Sequence, residues 1–153
     1  MLGKISVAVA LIVGLTATLD DRVAASVSDF VGAEVCGSCH ADIYKKWRKT
    51  AHAQATDTLG KKAKLASCLG CHSTGEAPAG KVAFEGVQCE SCHGPGAGYS
   101  PDDVMRNPTL VRALGLRDLA GDKQVAALCM SCHRSSTRIE PFDVAEGWQQ
   151  IEH

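Results

Sequence analysis

Cys36-Gly37-Ser38-Cys39-His40, Cys68-Leu69-Gly70-Cys71-His72, Cys89-Glu90-Ser91-Cys92-His93 and Cys129-Met130-Ser131-Cys132-His133 use up all eight cysteines of this 153-residue chain. Each is a C-x-x-C-H pentad, the spacing that attaches a c-type haem: two thiols add across the vinyl groups and the adjacent histidine reaches the iron. With histidine at about 4% of positions, a histidine after all four C-x-x-C pairs by accident has odds of about one in several hundred thousand. Zinc knuckles, thioredoxin-like dithiols and disulfide frameworks also use paired cysteines, but none requires histidine directly after the second one. The pattern predicts four covalently bound haems.

Residues 1–25 read as an export signal. Lys4 supplies a thin positive start, Ile5 to Leu19 an apolar run, and Val23-Ala24-Ala25 a small-residue cleavage site. The apolar run is about 15 residues, short for a membrane span, so cleavage and a soluble exported protein are expected ahead of an uncleaved anchor. Export suits covalent haem, which is assembled outside the cytoplasm, where free thiols do not persist. The expected location is the periplasm.

Residues 26–153 then form one tetrahaem domain with about 32 residues per haem, too few to bury an ordinary apolar core. Four macrocycles must supply most of the interior, and the chain should not fold without them. Net charge is −1 and there is no basic stripe, which gives no support to nucleic-acid binding.

The pentads begin at unequal intervals, which excludes a solenoid. Ala41 to Lys64 lacks proline and has Gly60 as its only glycine, with Ile43, Tyr44 and Trp47 set against Lys45, Lys46, Arg48 and Lys49; it reads as the best helix of the chain. Ser73 to Val87 reads as loop with a short extended piece at Lys81 to Phe84, and Gly94-Pro95-Gly96 as a turn. Further helices are expected at Pro108 to Leu114, Asp118 to Cys132 and Val144 to Ile151. The expected fold class is mainly α with extensive coil.

Four irons offer eight axial positions. His40, His72, His93 and His133 fill four of them, and the remaining candidates are His52, His153 and Met105, since Met130 lies inside a pentad. At least one iron therefore lacks a distal histidine or methionine, and exchange of ligands between identical subunits does not change the count. On a continuous helix His52 would lie about 18 Å from His40, so it must serve a different haem.

The stretch from Cys36 through Tyr44, Trp47, Thr50 and Ala51-His52-Ala53, together with Gly86-Val87-Gln88-Cys89-Glu90-Ser91-Cys92-His93-Gly94-Pro95-Gly96, resembles the tetrahaem cytochrome c-554 family. The resemblance implies haems packed in stacked and perpendicular pairs, with the one at the second pentad five-coordinate. It also implies that His52 ligates another haem, taken as that of His93, and that His153 ligates the haem of His133. The family's remaining distal histidine follows the G-P-G turn. Here residues 97–107 contain none and Met105 stands nearby, so the first haem is either His40/Met105 or open.

The leading expectation is an electron-transfer protein rather than an enzyme. It would relay single electrons from a redox enzyme, such as a multihaem oxidoreductase, to a downstream acceptor, such as a quinone-linked membrane cytochrome. One alternative is a reductase of a small nitrogen oxide, nitric oxide or nitrite, at the open iron. Another is a polymerising extracellular conductor in which His153 is donated to a second subunit.

Overall fold

A pentad sets its thiols at i and i+3 and its histidine at i+4, and one helical turn brings all three to one side. The computed structural model describes residues 29–62, 65–76, 82–134 and 141–153; the expected leader, residues 1–25, lies outside them. The helices are α1 (Ala33–Gly37), α2 (Ala41–Trp47), α3 (Ala66–His72), α4 (Cys89–His93), α5 (Asp102–Met105), α6 (Pro108–Ala113), α7 (Asp122–Cys132) and α8 (Val144–Gln149). Every pentad forms or ends one of them. Cys36 closes α1 and His40 opens α2, the second and third pentads sit within α3 and α4, and the fourth terminates α7 with His133 at its C-cap. The chain is mostly short helix and coil.

Local chemistry sets the boundaries. Asn107 caps α6 by accepting from the Thr109 and Leu110 amides at 3.1 Å, with Pro108 as its first residue, and Asp143 caps α8 through the Glu146 amide at 2.9 Å. The expected extended piece pairs with residues after the second pentad: β1 (Ser73–Glu76) and β2 (Val82–Glu85) form an antiparallel hairpin in which Ser73 faces Glu85 and Thr74 faces Phe84. The helix expected from Asp118 begins at Asp122.

The helix expected from Ala41 to Lys64 stops at Trp47. A different hydrogen-bonding partner outcompetes it. The Trp47 indole N–H donates to the Val87 carbonyl at 2.9 Å, and the Val87 amide donates to the His52 carbonyl at 2.8 Å. Thr50 Oγ1 donates to the Trp47 carbonyl at 2.7 Å, and turns lead to a 3-10 segment, Asp57–Lys62, kinked at Gly60. Gly86, at φ +75°, lies so close that an added Cβ would sit 2.6 Å from the Ala53 carbonyl oxygen. The Ala51-His52-Ala53 backbone is thus bound to the strand leaving the hairpin.

Among the described residues, the buried apolar side chains are Ala33, Ala55, Leu69, Tyr99, Val111 and Val125. That is far less than a domain of this length normally buries. Val35, Leu65, Leu110, Leu114 and Met130 remain exposed. The most deeply buried side chains are polar: Glu90 and Thr74 are each 1% exposed. Among the described residues every buried side-chain nitrogen and oxygen has a partner.

Candidate metal centres

The third pentad is the hub that positions the others. Glu90, enclosed between its two cysteines, accepts the Val31 amide at 2.9 Å and the Gly96 amide at 2.6 Å on Oε1, and the Gly32 amide at 2.8 Å on Oε2. One carboxylate thereby ties the approach to α1 to the turn that follows α4. Gln88 accepts the Ala33 amide at 2.7 Å, and α1 packs on α4. Thr74 donates to the Gly86 carbonyl at 2.9 Å and accepts the Gln88 amide at 2.7 Å, which ties the hairpin to the same hub. Tyr99 donates to the Gly94 carbonyl at 2.6 Å and Arg117 to the Ser91 carbonyl at 3.1 Å, closing its far side.

These ties bring the pentads together in pairs. A hydrogen bond between the Cys36 and Cys89 thiols raises the pKa of Cys36, which burial also raises, and lowers that of Cys89. Burial raises the Cys71 thiol, and so does a hydrogen bond with Cys132. Burial likewise raises Cys92, helped by the nearby Cys129. The first pentad therefore adjoins the third, the third adjoins the fourth, and the fourth adjoins the second. None of the eight cysteines is paired in a disulfide.

Histidine rings face each other in two places. His52 and His133 have ring centroids 6.1 Å apart, and His93 and His153 have centroids 5.8 Å apart. With each nitrogen about 2 Å from a shared metal and each ring centre about 1 Å behind its nitrogen, two imidazoles on one iron have centroids about 6 Å apart. Both pairs fit that arrangement. Burial, and then the facing His133, hold His52 below the usual histidine range; burial, and then His153, do the same for His93. Both are kept in the neutral form that a metal ligand needs.

The ring contacts join different histidines from those that the resemblance pairs. His52 faces His133 rather than His93, and His153 faces His93 rather than His133. Because α2 ends at Trp47, His52 is not carried along a helix axis at all; the backbone bond between its carbonyl and Val87 places it.

His72 and His153 show the second contact typical of a ligating histidine. Nδ1 of His72 lies 2.8 Å from the Ala55 carbonyl, and Nδ1 of His153 lies 3.0 Å from the Ile151 carbonyl. A carbonyl only accepts, so each Nδ1 carries the proton and each Nε2 is free to bind a metal. Thr58 Oγ1 donates to the same Ala55 carbonyl at 2.7 Å, and Thr56 Oγ1 donates to the His72 carbonyl. Among the described residues no other histidine ring pairs with that of His72 or His40. Met105 is half-buried at the end of α5, and the side chain of the neighbouring Arg106 lies within electrostatic reach of Cys39 in the first pentad.

Sequence reasoning did not single out Phe142, which stacks on the His133 ring at 4.0 Å with an angle of 19°. The far end of its ring meets Gly147 of α8, where any Cβ would collide with it. The tail is thereby docked on α7, and it delivers His153 to His93. Glu90 stood in a signature block with no role assigned to it; its three amide donors come from residues 31, 32 and 96, a convergence that no sequence spacing shows.

The family model for cytochrome c554 and c-prime matches residues 35–94, a span that contains the first three pentads and the hub. The chain is also 34% identical over 161 residues to cytochrome c-554 of Nitrosomonas europaea, across 85% of this chain and 68% of that one. It belongs to the cytochrome c-554 family. No solved structure matches it. Membership of this family of multihaem cytochromes carries covalent haem c and electron transfer with it, and the site fits that cofactor: paired thiols on one helical turn, a histidine beside each pair, and facing imidazoles at the spacing of a shared iron. Among the described residues no helix is long and apolar enough to cross a membrane.

Proposed function

We propose that this cytochrome is a periplasmic one-electron relay holding four haems, attached at Cys36/Cys39, Cys68/Cys71, Cys89/Cys92 and Cys129/Cys132 with His40, His72, His93 and His133 as proximal ligands. The observation that carries the reading is the two histidine ring contacts at 6.1 and 5.8 Å, which support His52 as the ligand opposite His133 and His153 as the ligand opposite His93. Haem c, when bound, supplies reversible one-electron storage at the iron. The protein's part is to hold attachment points close together and to choose axial ligands that spread the potentials.

The nearness of the pentads supports an order for the relay. The Cys36 and Cys89 thiols share a hydrogen bond, as do those of Cys71 and Cys132, and Cys92 lies within electrostatic reach of Cys129, which favours the first and second pentads as the two ends. Export by residues 1–25 supports the periplasmic assignment, and the partners are a redox-enzyme donor and a downstream acceptor. His153 meets His93 within one chain, an arrangement that needs no second subunit.

His72, backed by the Ala55 carbonyl and facing no second histidine, favours an open iron at the second pentad. That iron is the site for the secondary reading, reduction of a small nitrogen oxide. Met105, on the helix beside the first pentad, is the ligand assigned opposite His40. The test is carbon monoxide stoichiometry of the reduced protein against total haem. One CO per four haems is expected; two would remove Met105 from the ligand set, and none would refute the open iron at His72.

A further inference from the structure

Among the attachment residues, the first pentad lies nearest the surface. Cys39 is the exposed cysteine while the other seven are half-buried, and His40 is exposed while His72, His93 and His133 are half-buried. The helix that starts beside His40 is α2, and its outer side and C-terminal turn present Lys45, Lys46, Arg48 and Lys49, all exposed. Tyr44 and Trp47 take the inner side, with the Arg48 guanidinium 5.9 Å above the Tyr44 ring. The four cations follow His40 by five to nine residues, within about three turns of the first pentad.

The acidic neighbours are few. Asp42 takes Lys45 at 3.5 Å in an exposed pair, and the exposed Glu34 of α1 and Glu85 line one groove with Arg48. Among the described residues no carboxylate pairs with Lys46, Arg48 or Lys49. In a chain of net charge −1 this is a local excess of positive charge set against the most accessible attachment site. A solvated helix face needs no such concentration, and a charge cluster beside a redox centre steers partners of opposite sign.

We infer that the basic outer face of α2, Lys45, Lys46, Arg48 and Lys49, is the docking surface for an acidic electron-transfer protein, which exchanges electrons with this cytochrome through the haem of the first pentad. The inference rests on the reading of that pentad as one end of the relay. Docking there brings the partner's redox centre to the terminal haem, through which electrons pass to the half-buried inner pentads. The opposite end, beside Lys61 and the 3-10 segment that backs His72, is left for the other partner or for a small ligand.

The test uses the holoprotein and reduced flavodoxin, an acidic donor, in stopped flow; one electron leaves the reduced flavin and reduces one ferric iron. Two variants carry the same net charge. Lys46→Glu/Lys49→Glu reverses the proposed face, and Lys61→Glu/Lys123→Glu reverses exposed lysines near the second and fourth pentads. At an ionic strength of about 10 mM the α2 variant is expected to accept electrons about tenfold more slowly, and the control less than about twofold more slowly. At about 0.5 M salt the difference should collapse, because the screening length falls below about 5 Å. Lys46→Gln/Lys49→Gln should show about half the logarithmic effect. Equal slowing in both reversal variants, slowing in the control alone, or no slowing in either would overturn the inference. A wild-type holoprotein that takes no electrons from the probe would instead overturn the relay reading on which it rests.

Discussion

Replacing Glu90 by Gln should remove the main tie between the first and third pentads while leaving size and shape almost unchanged. Its carboxylate accepts three backbone amides, from Val31, Gly32 and Gly96, at 2.9, 2.8 and 2.6 Å, while the side chain is only 1% exposed. The glutamine carbonyl can replace Oε1 and keep Val31 and Gly96, but those bonds drop from charge-assisted to neutral, a loss of about 1 kcal/mol each. The NH2 group then points at the Gly32 amide, donor against donor, and leaves buried groups unsatisfied at about 1–3 kcal/mol. The neutral side chain recovers part of the desolvation cost of the buried carboxylate, so the net loss is about 3 kcal/mol. For a domain of this size that corresponds to a fall in melting temperature of about 10 °C. Thermal unfolding of the holoprotein followed in the Soret band measures it, and hydrogen exchange at the Val31, Gly32 and Gly96 amides locates it. A drop of less than about 2 °C with those amides still protected would refute the argument that this carboxylate registers the two pentads.

Two other substitutions test the ligand assignment. His52→Ala should add one carbon monoxide site per protein, at the iron of the haem whose proximal ligand stacks on Phe142, which nuclear Overhauser contacts from the Phe142 ring to the perturbed haem methyls identify; contacts confined to the third haem would restore the pairing implied by resemblance. Gly147→Ala should force the Phe142 ring off His133, loosen the tail and partly release His153, seen as new high-spin intensity in the oxidised spectrum; an unchanged spectrum would mean that α8 is not what holds His153 in place.

Covalent chemistry was the most legible part of the sequence. A thioether motif is local: five consecutive residues state it, and the helices within or beside each pentad follow from the same i, i+3, i+4 spacing. The helices at Pro108 and Val144 were legible for a similar reason, since Asn107 and Asp143 cap them from adjacent positions. The helix over residues 41–64 was misread because each of its residues tolerates helix and no local signal marks the stop at Trp47. The competitor is Val87, forty residues away, which bonds both the Trp47 indole and the His52 carbonyl. The same bond sets His52 beside His133 instead of His93. Where His52 points depends on how the hairpin exit meets residues 51–53, and no count of histidines or of helix rise contains that information.

The polar interior follows from the same shortage of protein that makes haem necessary. Haems bury apolar area without direction, and flat macrocycles packed by contact alone could slide against one another. Electron transfer needs fixed separations between haems, so the register between pentads must come from directional bonds. The most buried polar side chains supply them: Glu90 joins the approach to α1 to the turn after α4, Thr74 joins the hairpin to the segment entering α4, and Thr56 accepts the Gly86 amide at 2.7 Å while donating to the carbonyl of His72. An apolar side chain at any of these three positions would bury as well and hold nothing in register. In an ordinary domain buried polar groups are tolerated where function demands them; here they set the geometry, and the haems provide the apolar burial that makes such bonds strong.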